Sequence, residues 1–387
     1  MTKNLTHIAF LTPEYPHSKI KGAAGIGTSI KNLVDGLVKK EINVTLFVFN
    51  QEEDIVFEEH GICYHLIKHK KFKYLGFYLH RKYIEKYVNR ELIKSSIDVI
   101  EAPDWTGITA FMNLKVPLAI RFHGSDTYFC TLENRKQKWK NRFFEHNAIH
   151  KAKAYIAPTT YAGYESAKLF NIDPKKLEVI HHGLDLDYFT NATPETFQRF
   201  KIVNIGTIIR KKGVFQLAEI FNNLIEKYDQ AELVFIGSDA SDIETGCVST
   251  WSLVHEMLSE KAKERVSYLG KVPYESVKDQ MKNAHVCVFP SLAETLGMVT
   301  IEAMALQKAV VNTNYGWALE LIDHKQNGYL IDPKQIQAYV ETISQLFDNV
   351  ALVSEIGQNA RIKIMNTFLI EDIVKKNINF YNTLMAI

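Results

Sequence analysis

Two glutamates in one short apolar stretch have a residue type and a spacing that suit a catalytic or binding site. Residues 290–305 read PSLAETLGMVTIEAMA, and Glu294 and Glu302 stand in this stretch with seven residues between them. A buried carboxylate without a partner is costly, so each glutamate is expected to meet a donor or a ligand. Eight residues of helix rise about 12 Å, whereas the acid and base of a glycoside hydrolase lie roughly 5 to 9.5 Å apart. The spacing therefore argues against a hydrolase pair and favours contact with the two ends of an extended ligand.

The same stretch predicts a helix start that could bind an anion. Pro290 is expected to end a strand, and a helix is expected to begin a few residues later, near Leu296 or Gly297. Free amides at a helix N-terminus bind phosphate, and the helix dipole favours the negative charge. The amides concerned are those of Thr295, Leu296, Gly297 and Met298.

A nucleotide sugar matches this layout, because it carries a sugar, a diphosphate and a ribose in sequence. Glu294 would then face the sugar, and Glu302 would face the ribose hydroxyls. A structural interpretation carries equal weight on spacing alone. In that interpretation Glu294 caps the helix, and Glu302 lies on an exposed helix face.

A glycine-rich loop, KIKGAAGIGTS, follows the first predicted strand. Such loops also mark dinucleotide-binding domains, but Ile30 stands where the third glycine of that fingerprint would fall. Backbone amides near Gly25 and Gly27 remain suited to contact with a phosphate or a sugar. The alternative is a mobile loop ahead of a helix that starts at Thr28 or Ser29.

The elements that must position these residues alternate between short β-rich runs and amphipathic segments, which is typical of parallel βα units. A polar, turn-rich stretch at 183–200 separates two such series. We therefore predict two doubly wound parallel-sheet α/β domains facing a cleft, residues 1–190 and 191–367, with a terminal helix at 368–387 that packs back on the first domain. The predicted strands are 7–12, 43–49, 98–102, 117–122, 154–158, 177–182, 201–206, 232–237, 265–270, 285–290, 308–313 and 328–331.

Composition narrows the class of protein. The chain has 387 residues, 46% of them hydrophobic, and four cysteines without CxxC spacing, which favours a globular cytoplasmic protein without a disulfide framework. Residues 1–190 hold 27 Lys and Arg against 21 Asp and Glu. Two basic stretches with interleaved aromatics, 68–90 and 134–146, could contact an anionic membrane surface, or they could be solvated helix faces. The net charge of the whole chain is close to zero, which argues against a nucleic-acid partner.

Several stretches together resemble glycosyltransferase family 4, a group of retaining enzymes with the GT-B fold of two Rossmann-like domains. The glutamate stretch and its continuation to 331 resemble the donor-site signature of that family. KIVNIGTIIRKKG resembles its second signature, in which a basic pair grips the diphosphate. VIHHGLDLDYF, DVIEAPDW, IRFHGSD and AGIGTSIKNLVDGLVKK resemble other parts of the family pattern, so the likeness covers essentially the whole chain.

The resemblance implies roles for individual residues. Lys212 would neutralise the leaving diphosphate, and His123 would lie near the transferred sugar and contribute to catalysis with Glu294. Thr207 stands where the family has an arginine, and Arg210 is expected to replace that arginine in binding the diphosphate. The residues expected on the acceptor side are Asp104, Trp105 and Asp126.

The function expected from the resemblance is transfer of a sugar from a nucleotide diphosphate to an acceptor hydroxyl, with retention and without a metal cofactor. The acceptor would be a glycan or a glycolipid in polysaccharide or glycolipid synthesis. Two alternatives stay open: an epimerase of similar fold and a non-catalytic nucleotide-sugar binder. The motif DLD at 185–187 resembles a metal-binding pair of another transferase fold, but its place in the interdomain linker favours a structural role.

Overall fold

The computed structural model describes residues 4–22 and 25–386, which divide into two compact units. The first unit contains residues up to Gly183 and from Ile370 onward, and the second unit runs from Leu184 to Leu369. The division falls earlier than the predicted boundary at 190, because the chain enters the second unit at a bridge between Leu184 and Leu369.

An eight-stranded sheet forms the centre of the first unit, with strand order β3-β4-β2-β1-β5-β6-β7-β8. All neighbouring strands are parallel except β3 and β4, which form an antiparallel hairpin. The strands are β1 (His7–Thr12), β2 (Asn43–Gln51), β3 (Ile55–Glu59), β4 (Ile62–Lys68), β5 (Val99–Pro103), β6 (Leu118–Arg121), β7 (Ala154–Ala157) and β8 (Leu177–Val179). The helices that cover the sheet are α1 (Gly25–Val38), α2 (Gly76–Lys94), α3 (Asp126–Leu132), α4 (Trp139–Ile149) and α5 (Thr160–Phe170).

A six-stranded parallel sheet forms the centre of the second unit, with strand order β11-β10-β9-β12-β13-β14. Its strands are β9 (Lys201–Ile205), β10 (Glu232–Ile236), β11 (Val266–Tyr268), β12 (Val286–Phe289), β13 (Val310–Thr313) and β14 (Tyr329–Ile331). Its helices are α6 (Val214–Lys227), α7 (Thr250–Met257), α8 (Glu260–Lys263), α9 (Tyr274–Asn283), α10 (Met298–Ala305), α11 (Ile336–Asp348) and α12 (Val350–Thr367).

Each sheet has a hydrophobic core on both faces, as a doubly wound fold requires. Successive residues of a strand point to opposite faces, and along β9 Ile202 packs into one core while Val203 packs into the other. The same alternation occurs in the first unit, where Ile8 and Ala9 of β1 enter different cores. The predicted fold class, two Rossmann-like α/β units, is confirmed.

The last helix belongs to the first unit. The helix predicted at 368–387 is α13 (Ile370–Met385), and residue 387 lies outside the described residues. Arg121 of β6 forms a bidentate ion pair with Glu101 of β5, at 2.8 and 2.9 Å, and also donates to Asn377 of α13 at 2.5 Å. The Tyr381 hydroxyl of α13 donates to Glu101 at 2.6 Å. This buried network holds α13 against the central strands.

Candidate functional site

The two motifs of the predicted donor site follow adjacent strands of the second unit. β9 and β12 are neighbours, and strand order runs outward from this pair in both directions. In open parallel sheets such a switch point leaves a crevice at the carboxyl ends of the strands, where ligands bind. The basic turn 210–212 follows β9, and the glutamate stretch follows β12, so the fold brings both motifs to one crevice.

The basic turn after β9 and the glutamate stretch after β12 are in direct backbone contact. The residues after β9 form a 3₁₀ turn, Arg210–Lys212, which ends at Gly213 in a left-handed conformation with φ 69°. A Cβ atom at Gly213 would lie 1.9 Å from the carbonyl oxygen of Pro290, so only glycine permits this approach. The Leu292 amide donates to the Lys211 carbonyl at 2.7 Å. The position of Lys212 is therefore tied to that of the glutamate loop.

Lys212 and Glu294 form a direct ion pair within this crevice. The Ser291 hydroxyl also donates to Glu294, at 3.3 Å. The lysine side chain is 21% exposed and the glutamate side chain 13%, so both are accessible at the crevice surface while largely shielded. Two predicted site residues thus meet, and a ligand that separates them would meet a cation on one side and a carboxylate on the other.

Arg210 pairs with carboxylates of the loop after β10. Its guanidinium binds both carboxylate oxygens of Asp242, at 2.9 and 2.8 Å, and lies 3.1 Å from Glu244. The arginine bond holds the pKa of Asp242 far below its usual range. Arg210 is thus paired with two carboxylates, as Lys212 is paired with one, and its expected replacement of the arginine missing at Thr207 stays a prediction. Asp242 lies on a loop after β10, and no sequence signal pointed to it.

The predicted helix start is shifted by one or two residues. α10 begins at Met298, and Gly297 precedes it with a left-handed φ of 91°. Of the four amides expected at the helix end, Met298 lies in the first turn and Gly297 caps it, whereas Thr295 and Leu296 lie in the preceding loop. The rise of 12 Å assumed for eight helical residues is therefore wrong, because the chain is helical only from Met298 onward.

Glu302 is buried on α10, with 3% of its surface exposed. Burial raises the pKa of this carboxyl to about 7, and a hydrogen bond from the Tyr274 hydroxyl opposes that rise only in part. The exposed-face alternative for Glu302 is thus wrong. A carboxyl with one donor and further acceptor capacity can still accept hydroxyl groups from a ligand. Tyr274 opens α9, and its role could not be read from the sequence.

His123 follows β6 at the carboxyl edge of the first sheet. Its amide donates to Asp104 at 2.8 Å, and its ring stacks on His182 with 5.5 Å between the ring centres. Burial, and then the charge of Arg121, lower the pKa of His123 to about 3. The imidazole is therefore neutral near pH 7 and can exchange hydrogen bonds with a hydroxyl, but it cannot supply a positive charge.

The three residues expected on the acceptor side have different environments. Asp104 is fully buried and binds the His123 amide, so it positions the histidine loop and cannot line an acceptor surface. Burial raises its pKa to about 7. Trp105 is 42% exposed. Asp126 opens α3, where it accepts a hydrogen bond from Asn141 at 3.0 Å.

Gly25 and Gly27 lie in helix α1 and not in a loop before it, so the helix starts earlier than predicted. The Gly27 amide already donates to Glu14 at 2.8 Å, which removes it as a free donor for a phosphate. A Cβ at Gly27 would approach the Tyr15 backbone to 3.1 Å. The two alanines between Gly22 and Gly25 lie outside the described residues.

The DLD motif forms a local turn in which the Asp185 carboxylate accepts the Asp187 amide at 3.1 Å. Among residues 4–22 and 25–386, no three His, Cys, Asp or Glu side chains cluster as a metal site would require. In the same part of the chain, no helix combines the length and the apolarity needed to cross a membrane.

Comparison with known sequences identifies both units. Residues 23–188 match the family described as "Glycosyltransferase Family 4", and residues 191–363 match "Glycosyl transferases group 1". The glycosyltransferase MJ1607 of Methanocaldococcus jannaschii, itself uncharacterised, is 24% identical over 98% of each chain. CapM of Staphylococcus aureus, a "capsular polysaccharide biosynthesis glycosyltransferase", is 26% identical over 56% of this chain and 52% of its own.

Solved structures show the same fold. A sucrose-phosphate synthase from Thermosynechococcus elongatus superposes with a TM-score of 0.79 at 18% identity, covering 98% of this chain and 99% of its own. Anabaena HepE superposes with a TM-score of 0.73 at 17% identity, covering 99% and 100%. The chain therefore belongs to glycosyltransferase family 4, with the two Rossmann-like units of the GT-B fold.

Proposed function

We propose that this glycosyltransferase uses a nucleotide diphosphate sugar as donor and transfers the sugar to an acceptor hydroxyl with retention of anomeric configuration. The observation that carries the proposal is the crevice of the second unit. There a lysine, a carboxylate and the N-terminus of α10 lie at the switch point of a parallel sheet, with a second carboxyl buried on the helix behind them.

The roles follow from charge and position. Lys212 and the amides at the start of α10 stabilise the negative charge of the departing diphosphate. Glu302 accepts the ribose hydroxyls, and Glu294 binds the sugar after Lys212 is drawn to the phosphates. In the reaction the anomeric C–O bond to the diphosphate breaks, a C–O bond to the acceptor oxygen forms, and the proton of the acceptor hydroxyl passes to the departing diphosphate.

His123 is the catalytic candidate of the first unit. Its neutral imidazole fits hydrogen bonding to a sugar hydroxyl better than electrostatic stabilisation of a phosphate. Charge neutralisation by Lys212 and helix amides leads us to propose a reaction that needs no metal cofactor. A cytoplasmic site of action in polysaccharide or glycolipid synthesis is proposed from relatives such as CapM.

The ligands of structural neighbours support the choice of donor. HepE has been solved in complex with UDP and with UDP-glucose, and Arabidopsis starch synthase IV with ADP and acarbose. Nucleotide sugars should therefore be screened by thermal shift, followed by NMR assignment of the product anomer. EDTA should leave turnover unchanged. Binding without transfer to any glycan or glycolipid acceptor would favour the non-catalytic binder, whereas turnover of the donor to its epimer would favour the epimerase.

We further propose that the first unit contacts an anionic membrane surface. The two basic stretches, which are separate in sequence, form one aromatic-basic face. The Phe77 ring of α2 lies 5.0 Å from Phe144 of α4, and the Lys140 ammonium lies 4.4 Å above Phe77. Trp139 is 79% exposed and Phe143 50%, and exposed aromatics among lysines suit a lipid interface.

Vesicle co-sedimentation tests whether the aromatic-basic face contacts an anionic membrane. The protein should bind vesicles that contain phosphatidylglycerol more strongly than vesicles of phosphatidylcholine alone, and the Trp139→Ser/Phe143→Ser variant should lose most of that difference. Equal sedimentation of the variant and the unchanged protein would refute the membrane contact.

A further inference from the structure

A cavity of about 480 Å³ in the first unit has no role in the functions described so far. It lies at the carboxyl edge of the sheet, next to the segments that follow β2, β4 and β5, and the His123 loop lies at the same edge. The lining comes from the end of β2, the segment after β4, the first turns of α2 and the turn after β5. The residues that line it with polar or charged groups are Asn50, His69, Lys70, Lys71, His80, Arg81 and Thr106.

Positive charge in this wall is not neutralised by the protein. Arg81 is 8% exposed, and its guanidinium donates only to the carbonyl oxygens of Phe77, Thr106 and Gly107, at 3.0, 2.9 and 3.1 Å. Within the described residues, burial lowers the pKa of the Arg81 guanidinium to about 10 with no opposing carboxylate, and the Phe144 ring lies 4.7 Å from the guanidinium carbon. A buried guanidinium without a counter-ion is unfavourable in a ligand-free cavity and becomes favourable when an anion enters.

The two lysines add mobile charge at the cavity. Lys70 and Lys71 are exposed. The Lys70 ammonium lies 4.0 Å above the ring of Tyr83, whose hydroxyl donates to Asp54 at 3.1 Å. No ion pair joins Asp54 to Lys70. The cavity therefore combines one rigid buried cation with two flexible ones.

A second polar feature points to a hydroxyl-bearing ligand. His80 is 7% exposed, its Nε2 lies 2.9 Å from Asn50 Oδ1, and its Nδ1 has no hydrogen-bond partner. With Nε2 donating to Asn50, Nδ1 of the neutral ring is an acceptor. Burial lowers the pKa of His80 to about 4, so the ring is neutral near pH 7. The wall thus contains a buried hydrogen-bond acceptor that no group of the described residues satisfies.

Three of the twelve non-glycine residues with positive φ in the described part of the chain lie at the same place. Asn50, Leu75 and Thr106 have φ angles of 62°, 49° and 55° although each carries a Cβ atom. Asn50 and Thr106 line the cavity, and Leu75 directly precedes the lining residue Gly76. Left-handed conformations of such residues are uncommon and often mark ligand sites. The strain is therefore consistent with a wall shaped for binding.

We propose that this cavity binds the phosphate group of the acceptor, so that the acceptor is a phosphorylated polyol or sugar, free or attached to a lipid. This inference rests on the proposed transferase function and deepens it, because it names the chemistry of the acceptor. Phe72 and Phe77 line the cavity, and Phe77 also belongs to the aromatic-basic face. A lipid chain attached to the phosphate would find apolar surface there.

The first experiment measures binding of glycerol 3-phosphate to the full chain by calorimetry, with glycerol as the uncharged probe. The test variant is Lys70→Gln/Lys71→Gln. The control is Lys175→Gln/Lys176→Gln, a matched exposed pair immediately before β8, at the amino edge of the sheet. We expect the test variant to weaken binding roughly tenfold and the control to change it less than twofold.

Three outcomes would overturn the proposal: glycerol binds as tightly as glycerol 3-phosphate, the test variant keeps full affinity, or the control loses as much as the test variant. Vesicles that contain phosphatidic acid form a second arm. Competition of these vesicles with glycerol 3-phosphate, lost in the test variant, supports a lipid phosphate, and binding of the soluble probe alone supports a free phosphorylated acceptor.

A separate measurement distinguishes failure of this inference from failure of the proposed function. The thermal shift produced by the nucleotide sugar reports on the second unit, and the test variant should keep that shift. A protein that binds its donor but not glycerol 3-phosphate retains the proposed function and contradicts the acceptor site.

Discussion

Replacing Glu302 by glutamine should stabilise the protein, and the gain should grow as pH rises. The pKa of this buried carboxyl is about 7 in the folded chain, against about 4.3 for an exposed glutamate. Below pH 4.3 the carboxyl is protonated in both states, so it has no ionisation effect on stability. Between these values the unfolded chain ionises and the folded chain does not, which lowers the free energy of unfolding as pH rises.

The magnitude follows from about 1.4 kcal/mol for each pH unit between the two pKa values. The carboxyl of Glu302 therefore lowers the free energy of unfolding by about 1 kcal/mol at pH 5 and by about 3 to 4 kcal/mol at pH 8. Glutamine keeps the shape and can still accept from the Tyr274 hydroxyl, but it has no proton to lose. The variant should therefore exceed the unchanged protein in stability by about these amounts, while its affinity for the nucleotide falls.

Urea denaturation at pH 5, 6, 7 and 8 measures the effect, followed on the transition that nucleotide addition shifts. Glu219→Gln, on the exposed face of α6, is the matched control and should change stability by less than about 0.5 kcal/mol at every pH. A gain for Glu302→Gln that stays constant from pH 5 to pH 8, or a loss at pH 8, would refute the reasoning.

Further predictions concern both units. Lys212→Gln should slow sugar transfer about 10²- to 10³-fold in a product assay because the diphosphate loses its cation, and an unchanged rate would contradict that role. Gly213→Ala should destabilise the second unit by about 3 kcal/mol or more in denaturant, since the added methyl meets a carbonyl oxygen at 1.9 Å; a cost below 1 kcal/mol would be unexpected. Glu101→Gln should destabilise the first unit by about 3 to 5 kcal/mol because it leaves Arg121 buried without its counter-ion, and denaturation monitored in that unit measures it. The pH profile of kcat/KM should show no ionisation of His123 between pH 5 and 8, and a limb in that range that His123→Asn abolishes would contradict its pKa of about 3.

Most strand positions could be predicted from local patterns of apolar residues in the sequence. The twelve predicted strands are all present, because most are short apolar runs that the sheet buries on both faces; β8 and β11, at the sheet edges, are only partly buried. The hairpin of β3 and β4 was missed. β3 is an edge strand in which Ile55 is 38% exposed and Val56 57%, and its apolar run is only three residues long before two glutamates. β4 is largely buried, so its absence from the prediction has no such explanation. Among the strands of residues 4–22 and 25–386, the antiparallel pairing of β3 with β4 is also the one departure from the predicted parallel sheet.

The donor motif was predictable for a similar reason. Glycine, lysine and glutamate stand at fixed offsets from the ends of β9 and β12, and the sequence carries those offsets directly. Partners from distant segments were not predictable. Asp242 neutralises Arg210, Glu14 binds the Gly27 amide, and Tyr274 donates to Glu302.

By itself the sequence determined the family, the alternation of strands and helices, and the place of Lys212 and Glu294 after two strand ends. These features depend on residue types and short spacings, which the chain carries before it folds. Only the tertiary structure decided which charges are available to a ligand. Whether a side chain is neutralised, buried or left without a counter-ion depends on groups far away in the chain, and for that reason the pairing of Arg210 with Asp242 and the burial of Arg81 could not be read from the sequence.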